Sequence, residues 1–100
     1  MTDEPRIIRM FVDEGHNWPL WEDTHPTKCE TEPADYNLSP ELTTALRIWF
    51  DEWANGFDVA IAQWRPGCGR GWTERGQEIA ALLLKEVESF ASVEYRGNPW

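Results

Sequence analysis

The sequence predicts an α+β domain in which two antiparallel helices pack on a small two- to three-stranded sheet formed by the N- and C-terminal strands. Three observations lead there. An alternating, β-branched run occupies residues 6–12, and a second alternating run, ASVEYR, occupies 91–96. Between them, residues 40–55 and 73–90 repeat apolar side chains at spacings of three and four, the period of a helix. With 100 residues there is room for one core, so residues 1–100 are read as a single domain whose elements share it.

In the first strand, RIIRMFV sends Ile8, Met10 and Val12 to one side and Ile7, Arg9 and Phe11 to the other. Asp13-Glu14-Gly15 supplies turn chemistry, and the extended piece Asn17–Trp21, kept out of a helix by Pro19, is a candidate third strand. Residues 22–38 hold Pro26, Pro33, many acids and no periodicity, and are expected to wrap the surface as an acidic loop. Ser39-Pro40-Glu41 then combines a capping hydroxyl, a proline suited to the first helical position and a carboxylate at the positive end of the dipole. Leu42, Ala45, Leu46, Trp49, Trp53 and Phe57 form the apolar face of that helix, which Asn55-Gly56 is expected to stop in a left-handed conformation.

Residues 58–63 fit a further helical turn or a short strand equally well, and the glycine-rich stretch 64–71 is loop. Thr73 is placed to cap the second helix, whose apolar line runs through Ile79, Ala80, Leu83 and Val87, widened by Leu82, Leu84 and Phe90. Gly76 lies on the same line. A glycine costs about 1 kcal/mol against alanine inside a helix, so its position there points to a close approach of another element. Val93 and Tyr95 share one face of the last strand, and Gly97–Trp100 is a tail. Either relative direction of the two terminal strands satisfies the loop lengths.

Eighteen acids against nine bases give a formal charge of −9, and nine of the acids against three bases fall within residues 1–38. Such a field repels phosphate backbones and anionic lipid and steers a basic protein inward, which disfavours direct nucleic-acid and membrane partners. No apolar run approaches the length of a membrane span, and MTDEPR has neither the basic start nor the apolar stretch of a secretory leader, so the expected location is cytoplasmic. Cys29 and Cys68, 39 residues apart, are then expected as free thiols.

A wider pattern is present: NWPLWED after the first strand, LSPEL-x3-L-x2-W-x-DEW-x3-FD, W-x3-G-x-E-x-A-x2-L-x2-E, and a closing V-x-Y. Over residues 7–24 and 38–96 it resembles a set of small uncharacterised proteins common in actinobacteria and their phages. The resemblance implies a fold and a source, and no activity. This chain departs from the pattern at Val59–Gly71 and in the acidic stretch around Cys29.

No catalytic constellation emerges. His16, His25, Cys29 and Cys68 follow no zinc-module spacing, the 66–71 glycine loop lacks the Gly-Lys-Ser/Thr ending of a phosphate cradle, and neither histidine sits where it would activate a nucleophile. The expected function is therefore that of a non-enzymatic protein, without cofactor or metal, that binds and modulates or inhibits a protein with a basic surface, as an immunity-type or phage host-modulating factor would. The alternatives are a DNA mimic, whose acids would form a spaced row, and a small metal-binding domain. The candidate binding residues are Trp18, Trp21, Glu22, Asp23, Glu30, Glu32, Tyr36 and Trp64: carboxylates to speed encounter, and aromatic rings to seat in a partner's pockets.

Overall fold

A computed structural model describes residues 5–99; the first four residues and the tail residue Trp100 lie outside the described residues. The chain is an α+β fold, ordered β1 (Ile7–Met10), β2 (Leu20–Trp21), β3 (Glu30–Thr31), α1 (Pro40–Gly56), β4 (Phe57–Asp58), β5 (Gln63–Trp64), α2 (Trp72–Val87) and β6 (Ser92–Tyr95). The main sheet has four strands in the order β3-β2-β1-β6, and β4 and β5 form a separate hairpin. The terminal strands pair in parallel, Ile8 opposite Val93 and Met10 opposite Tyr95, while β2 runs antiparallel to β1 and to β3.

Alternation sorts the sheet into two faces. Ile8, Met10, Leu20 and Thr31 are buried together with the helices' apolar residues, and β1's other side chains remain half-buried. Leu46, Trp49, Trp53, Ile79, Leu83 and Val87, all read from the helical period, form the core with them. The helices are antiparallel: Ser39 before α1 bonds Glu86 near the end of α2, while Glu52 late in α1 pairs with Arg75 early in α2. Ser39 caps α1 through Leu42 N, as its sequence context requires.

The start of α2 is clamped to α1 by two tryptophans. Their rings stack with centroids 4.2 Å apart and 6° between planes, Trp49 Nε1 donates to the Trp72 carbonyl (2.8 Å) and Trp72 Nε1 donates to the Trp49 carbonyl (2.9 Å). Each buried indole N–H thereby finds the acceptor that burial demands. Gly76 supplies the close approach: a Cβ there would collide with the Tyr95 hydroxyl and lie 2.6 Å from the Trp49 ring.

Five expectations need correction. The sheet has four strands, not two or three, because Glu30–Thr31 inside the supposed surface loop pairs with β2; two residues are too few to show a period. That loop also dives inward, burying Glu22, Thr31, Pro33 and Tyr36. Gly56 ends α1 without a left-handed stop, since the chain turns straight into extended Phe57, and its missing side chain instead makes room for Cys68, whose Cβ would be 3.0 Å away. α2 begins at Trp72 after left-handed Gly71 rather than at a Thr73 cap, and Thr73 Oγ1 donates instead to the Gly97 carbonyl at 3.0 Å. The same helix ends at Val87, so Phe90 falls beyond it; Leu82, Leu84 and Phe90 are exposed and do not widen its buried line. Residues 58–63 resolve into the β4–β5 hairpin.

Candidate functional site

Both helices lie on the Tyr95 side of the main sheet, where Trp49 and Gly76 meet that ring. Among the described residues, the opposite side carries neither of these helices. On it the register gathers Arg9 between Trp21 of β2 and Glu94 of β6, with Phe11 just past β1 and Glu30 opposite Trp21. Phe11 and Trp21 stack at 4.9 Å with 10° between planes, and Trp21 Nε1 donates to the Phe11 carbonyl at 3.2 Å. His16 meets the Trp21 ring edge-on at 5.1 Å and is held by its Nε2–H donating to the Thr31 carbonyl at 2.6 Å. An indole fixed at both ring and N–H has little rotamer freedom left to lose on contact with another molecule.

Charges frame this aromatic pair. Arg9 pairs with Asp23 and approaches Glu94 at 3.6 Å, while Arg96 reaches Glu94 at 3.1 Å and lies 5.4 Å over the Phe11 ring. Glu30 is exposed and takes part in no ion pair among the described residues. The carboxylates are thus interleaved with arginines, whereas a duplex-like row would need them unpaired and in line.

The predicted binding residues divide. Trp21, Asp23 and Glu30 come together on this face. Glu22 does not: its side chain is 0% exposed, and its carboxylate accepts from Arg6 Nε and Nη2 (2.9 Å each), Thr24 Oγ1 (2.6 Å) and the Tyr36 hydroxyl (2.9 Å). Those bonds fill its acceptor capacity. Burial pushes the Glu22 carboxyl up, but the hydrogen bonds from Arg6, Thr24 and Tyr36 and the charge of Arg6 outweigh it and hold the group at about 2. Tyr36 is likewise internal, 3.0 Å from Thr31 Oγ1, and burial pushes its hydroxyl well above the usual phenol range. These two residues tie the 22–38 segment to Arg6, just ahead of β1, and are internal rather than part of the exposed face.

Trp18 is half-buried under the Arg47 guanidinium, which sits 4.0 Å over its ring, and belongs to the α1 side. Glu32 is exposed ahead of a single helical turn at Pro33–Tyr36. Trp64 packs edge-on against Phe57 (5.3 Å) and Trp72 (5.4 Å) beneath Gly69, where no side chain would fit, and contributes to the hairpin rather than to the sheet face. Arg9, Phe11, His16, Glu94 and Arg96 were not among the predicted residues. The β1 alternation already turned Arg9 and Phe11 outward; what it could not show is that Trp21, Glu94 and Arg96 pack against them there and neither of the helices α1 and α2 does. Cys29 and Cys68 are free and exposed, and among the described residues no three His, Cys, Asp or Glu side chains converge as metal ligands. No helix among those residues is long and apolar enough to cross a membrane.

This architecture coincides with a known family profile. The profile described as Serratia CdiI immunity protein-like matches residues 6–98, which takes in every strand and both helices. The chain belongs to that family. No curated protein matches it. Within the family match lie all the residues of the uncovered sheet face, from Arg9 to Arg96, so that face is part of the shared domain rather than an appendage.

Proposed function

We propose that this protein is a non-catalytic inhibitor of the immunity type, which binds a toxin protein through the uncovered face of its sheet and acts in the cytoplasm. The observation that carries the reading is the fixed Phe11–Trp21 stack bordered by Asp23, Glu30 and Glu94 in a chain of the immunity-like family. A rigid tryptophan within a ring of charge has the composition of an interface anchor and its rim. The chain's charge of −9 favours a partner with a basic surface.

The test begins with capture of the partner from the native host on the tagged protein, identification by mass spectrometry, and rate measurements on the purified pair. Trp21→Ala should speed dissociation about tenfold or more, as loss of a central anchor does. The double substitution Asp23→Asn and Glu30→Gln should slow association and flatten its salt dependence. Wild-type rates for both variants at low salt would place the interface elsewhere.

A further inference from the structure

Beside the sheet face, two cavities of about 400 and 270 Å³ run together, sharing Glu14, Trp53, Phe57 and Val59. One wall is the turn after β1 and the other is the end of α1 with the start of the β4–β5 hairpin, where Val59 is 47% exposed. The rings of Trp53 and Phe57, otherwise buried in the core, line it. Its charged groups are all of one sign. Among the described residues Asp13 and Glu14 are exposed without an ion-pair partner, and no lysine or arginine lines either cavity. A larger cleft of about 600 Å³ between α1 and the glycine loop lacks this bias, because Asp51 and Glu52 there face Arg70 and Arg75.

An apolar, aromatic trough with carboxylates at its mouth suits a long aliphatic stem ending in a cation. The stem covers the rings and the head meets the carboxylates. His16 makes the trough continuous with the sheet face, since it lines the one and touches Trp21 on the other.

We propose that this trough receives an arginine or lysine side chain of the protein partner, arginine foremost because its flat cation stacks on rings and pairs with carboxylates at once. The inference rests on the reading that this chain binds a basic protein.

Its test needs no partner. Argininamide is titrated into the isotope-labelled protein, with citrullinamide as the uncharged analogue. Argininamide should shift the backbone amides of Glu14, His16, Ala54 and Val59 saturably, and the combined Asp13→Asn, Glu14→Gln variant should bind it about fivefold more weakly. Equal shifts with citrullinamide, shifts confined to other residues, or affinity unchanged in the variant would overturn the proposal. So would broadening of these resonances with protein concentration alone, which would mean that a second copy fills the trough. Failure here with Trp21→Ala still weakening the captured partner would leave the sheet-face reading standing; the reverse pattern would remove that reading and keep the trough.

Discussion

Replacing Arg6 by methionine keeps the aliphatic stem near the Phe90 ring, over which the guanidinium sits at 5.0 Å, and removes only the charge and its two bonds to Glu22. Glu22 then remains at 0% exposure with a negative charge answered by two hydroxyls. In the native protein its carboxyl lies at about 2 against an ordinary 4.5, and at about 1.4 kcal/mol per tenfold change in acidity the network contributes about 3 kcal/mol. Breaking a buried pair by deleting one partner costs about 3–5 kcal/mol, and Arg6, 35% exposed, belongs at the low end of that range because water reaches part of the site. Urea denaturation at pH 7, followed by tryptophan fluorescence, should therefore show a loss of about 3 kcal/mol. The pH dependence separates this cause from lost packing. Because the native Glu22 carboxyl is depressed, its contribution is complete above about pH 4.5 and fades as pH falls toward 2. In Arg6→Met, burial goes unopposed by the guanidinium, the folded state prefers the protonated acid, and the gap from wild type should close on acidification. Glu22→Gln should lack this part of the acid slope altogether. A loss below about 1 kcal/mol at pH 7, or a gap that widens toward acid, would refute the reasoning.

Three further outcomes are expected. Trp49→Phe and Trp72→Phe should each cost about 1–3 kcal/mol in the same urea assay, because each leaves one buried carbonyl without its indole donor, and the double variant should cost less than the sum of the two. Gly76→Ala should destabilise by about 1–3 kcal/mol despite alanine's better helix propensity, since the added methyl meets the Trp49 ring and the Tyr95 hydroxyl; a gain in melting temperature would contradict that packing. Both Cys29 and Cys68 should react with a maleimide in the folded protein, giving two adducts by intact mass without denaturant, and a single adduct would show one thiol to be covered.

The sequence displayed most of the core because helices and long strands carry a period. Leu46, Trp49, Leu83 and Val87 could be placed from spacing alone, and so could the two faces of β1. What stayed hidden is held by interactions that leave no periodic trace. β3 is two residues long and is recognised only by its partner strand. Glu22 and Tyr36 look like surface groups by residue type, yet Arg6, sixteen positions upstream of Glu22, draws that carboxylate inside. Trp72 lies just before the periodic stretch 73–90 and is buried because Trp49, 23 residues earlier, offers it both a ring and a carbonyl. The candidate site was legible in part for the same reason. Trp21, Asp23 and Glu30 could be suspected from composition, whereas Glu94 and Arg96 join them only through the β1–β6 pairing.

That pairing also orders events during synthesis. β1 has neighbours on both sides, but its parallel partner is made about 80 residues later, after both helices. While the chain grows, one edge of the central strand stays open, and Ile8 and Met10 lack the Val93 and Tyr95 side of their surroundings. The helices meet the same delay, because Tyr95 is the ring against which Trp49 and Gly76 close. Closing the sheet therefore waits for one late step, the β1–β6 pairing of segments distant along the chain, and such pairing slows folding relative to a helical bundle of equal length. Until that step, the face proposed to bind a partner does not exist, because Arg9 waits for Glu94 and Phe11 waits for Arg96.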